Sequence, residues 1–127
     1  MRIIGIDFGE RRIGVAAADD RVPIALPIET IDATQDPVAQ IERVVQEQRA
    51  EAIIFGLPLS LSGAEGPQAQ RIREVARELS ERIATPIDFQ DERLTTAQAE
   101  RVHGGKNSQK DAIAASIILQ AYLDRRR

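Results

Sequence analysis

Cysteine and tryptophan are missing from this 127-residue chain, and histidine occurs once, at His103. Without thiols there can be neither a disulfide framework nor a thiolate zinc site, and one imidazole cannot build a histidine-rich metal centre. Any metal must therefore be held by oxygen. Aromatic residues make up only 3% of the chain, which leaves few rings on which nucleobases could stack. No apolar run approaches membrane-spanning length. Met1 to Asp7 runs straight into an apolar stretch that ends in an acid, the wrong pattern for a signal peptide. Elimination leaves the cytoplasm as the expected compartment, with no membrane partner. An excess of positive charge is also lacking. The net charge of -3 argues against a protein that coats nucleic acid nonspecifically, because such binding rests on neutralising many phosphates. It leaves room for an enzyme that engages a few of them, since metal-binding acids count against the total until ions arrive. The bases are also unevenly placed, at Arg11 and Arg12, at Lys106 and Lys110 in a late loop, and at Arg125 to Arg127.

What is present fits one ordinary domain spanning residues 1–127, 43% hydrophobic and 29% charged. All catalytic groups must then come from a single core and its loops. Arg2 to Asp7 and Ile13 to Ala18 are short apolar runs on either side of Gly9, which predicts a hairpin. Ala25 to Thr30 reads as a third strand. Its flanking and internal prolines, Pro23 and Pro27, cannot donate ladder hydrogen bonds, so it belongs at a sheet edge. Asp36 followed by Pro37 reads as a cap and first helical position, with Ile41, Val44 and Val45 at helical spacing up to Gln48. Ala52 to Gly56 is a strand, Pro67 to Ile83 a helix with Ile72, Val75, Ala76 and Leu79 on one face, and Ile87 to Gln90 another strand. A short helix from Thr95 to Val102 precedes the polar break from Gly104 to Gln109. The last helix, from about Lys110 to Leu123, is apolar on most sides and should be buried against the sheet. The expected fold is α/β: a five-stranded mixed sheet, antiparallel over its first three strands and parallel after them, flanked by helices. The loop from Leu57 to Gly66 is the longest polar insertion.

Acids at three places in the chain are candidates for chemistry. Asp7 ends the first strand, and in open α/β sheets the ligand crevice lies beyond the carboxyl ends of the strands. Gly9 behind it allows a phosphate close to the backbone. Glu92 and Asp91 follow the last strand, where a parallel neighbour of the first strand would bring its end to the same rim. Spacing does not choose between them. Asp111 lies one turn ahead of Ala114, Ala115 and Ile118 on an apolar helix face, which puts it at the rim of the core. Each has an ordinary use as well: a turn cap for Asp7, a surface ion pair with Arg93 for Asp91, and placement near a helix start for Asp111. Taken together, they form an oxygen donor set suited to magnesium or manganese, which prefer carboxylate and water and leave positions open for substrate phosphate. The implied chemistry is phosphodiester hydrolysis. His103 reads first as a surface residue and only second as an aid to proton transfer.

The motifs together resemble the YqgF family, also called RuvX, Holliday junction resolvase-like proteins and nucleases of 16S ribosomal RNA precursor maturation. The likeness is carried by Gly5-Ile6-Asp7-Phe8-Gly9 with Arg12-Ile13-Gly14-Val15-Ala16, by Gly56-Leu57-Pro58-Leu59, by Asp91-Glu92-Arg93-Leu94-Thr95-Thr96 and by Lys110-Asp111-Ala112-Ile113-Ala114-Ala115. It covers nearly the whole chain. The resemblance implies an RNase H-like fold, a Mg2+ or Mn2+ requirement, and Asp7, Glu92 and Asp111 as the catalytic, metal-holding acids. It further implies that Arg11 and Arg12 approach substrate phosphates. Gly56-Leu57-Pro58 would floor the cleft, while Arg93, Thr95 and Thr96 would support the acids or contact the nucleic-acid backbone, with Lys106 and Lys110 adding basic surface. Ser60 stands where such proteins often have Asn, and the loop from His103 to Lys110 is short, which favours RNA-end processing over junction cleavage.

The expected function is therefore a metal-dependent endonuclease maturing the 5′ end of the 16S rRNA precursor, acting as a monomer or homodimer. A resolvase acting on branched DNA and a noncatalytic RNA-binding module in ribosome biogenesis are the alternatives. An actin-like sugar kinase shares the pattern of Asp7, Gly9 and Gly14, but such enzymes close two lobes over ATP and this chain has room for one.

Overall fold

The computed structural model describes residues 1–92 and 107–126, with side chains in the second stretch described from residue 110 onward. The expected helix from Thr95 to Val102 lies outside the described residues, as do the candidate residues Arg93, Thr95, Thr96, His103 and Lys106. The chain order is β1 (Arg2–Phe8), β2 (Arg12–Asp19), β3 (Val22–Asp32), α1 (Pro37–Gln48), β4 (Ala52–Leu57), α2 (Pro67–Arg82), β5 (Ile87–Asp91) and α3 (Asn107–Arg125). The five strands form one sheet in the order β3-β2-β1-β4-β5. β1 is antiparallel to β2, and β2 to β3, whereas β1–β4 and β4–β5 are parallel. This is the mixed sheet expected from the order of the elements.

The side-chain period of two assigns the faces. Ile4, Ile6 and Phe8 of β1 join Ile13, Val15, Ile53 and Phe55 under α1 and α2, in a core that includes Ile41, Val44, Ile72 and Leu79. The alternate positions of the sheet face α3, where Ile3, Ala16, Ala18 and Ile54 pack against Ala115, Leu119 and Tyr122. Ala114 and Ile118, predicted to continue the apolar face behind Asp111, are fully buried. α1 begins as its capping signal predicts, with Asp36 accepting from the Ala39 N–H at 3.2 Å and Pro37 in the first turn.

β3 is longer than expected, 11 residues rather than the six from Ala25 to Thr30. It takes the sheet edge, and its irregular register with β2 accommodates the prolines. The amide side chain of Gln120 on α3 accepts from the Ala25 N–H and donates to the Pro23 carbonyl, fastening that edge to the helix. α3 starts earlier than predicted, so Lys110 stands in a helix and not in a loop. Ile113 is half exposed, so the helix presents one side to solvent.

Candidate active site

Because β1, β4 and β5 are parallel, their carboxyl ends lie on one rim of the sheet, and β1 is the central strand. Asp7 occupies that rim. Its strand partner across the hairpin is Gly14. On its other side, one residue beyond the registered pair Ile6–Phe55, stands Gly56, which in turn pairs with Gln90 of β5. Thr30 pairs with Gly14. A single row thus crosses all five strands on the α3 face: Thr30, Gly14, Asp7, Gly56, Gln90.

The two glycines flanking Asp7 are there because something else fills their side-chain space. A Cβ on Gly14 would lie 1.8 Å from the backbone carbonyl oxygen of Asp111, so α3 rests its first turns directly on β2 at this point. A Cβ on Gly56 would lie 2.5 Å from Ile118 Cδ1 and 3.2 Å from Glu92 Cγ. Glu92, immediately after β5, therefore folds back over Gly56. The backbone of Asp111 therefore lies over the strand neighbour of Asp7 on one side, and the side chain of Glu92 over its neighbour on the other. All three acids are buried, Asp7 at 2%, Glu92 at 3% and Asp111 at 9% exposure. Acids are almost never this buried without partners.

Of the three acids expected from the sequence, Asp7 stands in this row, while Asp111 on α3 and Glu92 after β5 lie over its glycines. They do not form a closed cage: among the described residues, no three of His, Asp and Glu are grouped as a preassembled metal site. Asp111 is engaged by a base. Arg12 Nε donates to its Oδ2 at 2.6 Å, an ion pair half shielded from solvent. Asp7, Gly9, Glu10, Arg11, Arg12 and Asp111 line a cavity of about 310 Å³. Arg11 and Arg12 also line a neighbouring hollow of about 610 Å³ with Thr30, Asp32 and Thr34. The two arginines therefore separate the acid row from an open groove along the start of β2. Asp32 in that groove is held below its ordinary pKa by hydrogen bonds from the Thr34 hydroxyl and N–H.

Two features escaped the sequence reading. The Arg12–Asp111 pair spans 99 residues and leaves no local signature. Gln90 is 3% exposed on the same face as Asp7, and its Oε1 is a buried side-chain atom with no hydrogen-bond partner among the described residues. Its signal was present: a polar residue two positions before Glu92 falls on the same strand face. The orphaned oxygen and the all-oxygen, cysteine-free donor set are a good fit for a hard divalent cation.

The chain matches the RuvX family, described as Holliday junction resolvase, over residues 1–125. It belongs to that family. A relative from Chloroflexus aurantiacus called "Putative pre-16S rRNA nuclease" is 43% identical over 134 residues, covering 98% of this chain and 88% of the relative. One of the same name from Leuconostoc citreum is 39% identical, covering 98% and 95%. Among solved structures, Thermus thermophilus RuvC in complex with a Holliday junction substrate has a TM-score of 0.63 at 15% identity, covering 99% of this chain and 95% of that one. The Fowlpox virus resolvase in complex with Holliday junction DNA has a TM-score of 0.65 at 12% identity, covering 98% of each chain. These structural likenesses establish the RNase H-like fold of this RuvX-family chain.

Proposed function

We propose that this RuvX-family chain is a divalent-metal-dependent endonuclease that hydrolyses phosphodiester bonds and matures the 5′ end of the 16S rRNA precursor. The observation that carries this reading is the central-strand carboxylate of Asp7, held at the rim between two glycines whose space is taken by the elements bearing Asp111 and Glu92. The names of the 39% and 43% identical relatives support the RNA substrate. Asp7, Glu92 and Asp111 would hold Mg2+ or Mn2+, which when bound supplies an activated water and positive charge against the leaving oxygen.

The protein's own groups do the rest. β1 orients Asp7 rigidly, and α3 keeps water from the inner side of the row. Arg11 and Arg12, on the wall between the acid row and the open groove, receive the substrate phosphates. Arg12 exchanges its contact with Asp111 for one with phosphate, which releases the Asp111 carboxylate when substrate arrives. Lys110 on the first turns of α3 extends this contact surface, and Arg93, Thr95, Thr96 and Lys106 are proposed as further nucleic-acid-binding residues. The cytoplasm, where ribosomal RNA precursors are processed, is the compartment this function requires.

The test is cleavage of single-stranded and flap-containing precursor RNA by the purified chain with manganese. Asp7→Asn is expected to abolish cleavage, a loss of at least about 100-fold, the scale on which preorganised charge contributes, while the melting temperature stays within a few degrees. Cleavage confined to four-way DNA junctions would favour a resolvase, and RNA binding without cleavage under every metal condition would favour a binding module. Mapping precursor ends in cells lacking the gene separates RNA maturation from recombination.

A further inference from the structure

Gln90 has no role in the chemistry above, yet it is buried on the catalytic face. On β5, Phe89 points into the core under α1 and α2. Gln90 therefore points the other way, beside its register partner Gly56. Among the described residues, its surroundings on that face offer little to an amide oxygen. Gly56 has no side chain, Ile118 Cδ1 lies over it, and the Cγ and Cδ of Glu92 lie over it too. An ionised carboxylate can only accept hydrogen bonds, as can the amide oxygen. Two acceptors with a shared apolar wall are stabilised together by a cation or by a donor attached to one. Leaving a buried acceptor without a donor is destabilising, and native proteins keep such groups mainly where a water, an ion or a catalytic role explains them.

We propose that Gln90 is a positioning residue of the cation site: its Oε1 accepts a hydrogen bond from a water in the hydration shell of the ion held by Glu92. The inference rests on the metal-dependent reading of the acid row and extends it by one residue. Mg2+ and Mn2+ retain several waters when bound by few carboxylates, so a neutral acceptor beside Glu92 orients the shell without adding negative charge. Gln90 acts through that water and does not touch the phosphodiester.

The experiment is calorimetric titration of Mn2+ into the full chain, paired with thermal melting in EDTA and in Mn2+, for the unaltered protein, Asp7→Asn, Gln90→Met and Gln90→Glu. Gln90→Met keeps the length and removes the acceptor. It is expected to weaken Mn2+ binding about tenfold, the usual scale for a group that orients a metal's ligands. Its melting temperature in EDTA should be unchanged or higher, because the orphaned oxygen is gone. Gln90→Glu restores an acceptor and should recover most of the affinity. Two results would overturn the proposal while leaving the acid row intact. One is Mn2+ affinity within twofold of the unaltered protein in Gln90→Met, when Asp7→Asn has lost it; a lone buried water then satisfies the amide. The other is a lower melting temperature of Gln90→Met in EDTA, which would make the side chain structural. If the unaltered chain binds no Mn2+ at all, the metal-dependent reading itself falls, and this inference falls with it.

Discussion

Asp7 and Gly14 face each other across the first hairpin, and the methyl group that separates alanine from glycine has no room there. Any Cβ at position 14 would overlap the Asp111 carbonyl, a backbone atom that cannot rotate away. Gly14→Ala must therefore lift α3 off β2 or distort the strand. Overpacking of this kind costs about 1–3 kcal/mol and sometimes more. We expect Gly14→Ala to lower the unfolding free energy by at least the upper end of that range, measured by urea denaturation. It should also lose activity out of proportion to stability, because the displaced group carries Asp111. At Gly56 the overlap is with the flexible ends of Ile118 and Glu92, so alanine there should be milder for stability and act mainly by displacing Glu92.

Among the elements, the segment between β4 and α2 shows how a polar loop is kept in place. A bridge between Leu59 and Glu65 closes it, and the Ser60 hydroxyl accepts from the Ala64 N–H. Gly63, at φ 88°, makes the turn that other residues rarely adopt. Arg73 of α2 then donates to Glu65 at 2.7 Å while its guanidinium covers the Phe89 ring. That hydrogen bond, and the attraction of the guanidinium, hold the Glu65 carboxyl below the ordinary glutamate range. A folded-state pKa below the unfolded one means that the loop's tether is fully present above the unfolded value and is lost as pH falls through the folded one. NMR titration of the Glu65 carboxyl should show a midpoint below that of a free glutamate, and Arg73→Ala should return it. The loop stands at the same rim as Asp7, so acid should loosen it before the core responds.

For the molecule as a whole, charge sets how nucleic acid can be held. A chain with a net charge of -3 cannot rely on broad phosphate neutralisation. Arg11 and Arg12 are the described bases placed on the wall of the acid row, and Lys110 stands nearby at the start of α3. Three to four phosphate contacts predict a salt slope of about -2 to -3 in log affinity for single-stranded RNA. Fluorescence anisotropy across a salt series measures it. A much steeper slope would mean that the substrate runs over a larger basic surface, including the terminal arginines.

Read along the chain, local patterning carried most of the architecture. Short apolar runs defined the strands, Asp36-Pro37 marked the start of α1, and Pro23 and Pro27 sent β3 to the edge, all because these preferences act over a few neighbouring residues. Asp7 and Asp111 were nameable for the same reason, as acids at the edges of apolar patterns, whereas Glu92 was preferred to Asp91 only through the family resemblance. Tertiary structure alone decided how those acids stand. Pairing across β2, β1, β4 and β5 lined up Gly14, Asp7, Gly56 and Gln90, and packing of α3 over β2 brought Asp111 against Arg12. These relations join residues up to 99 positions apart, and they depend on strand register and helix docking, which nearest-neighbour preferences cannot encode.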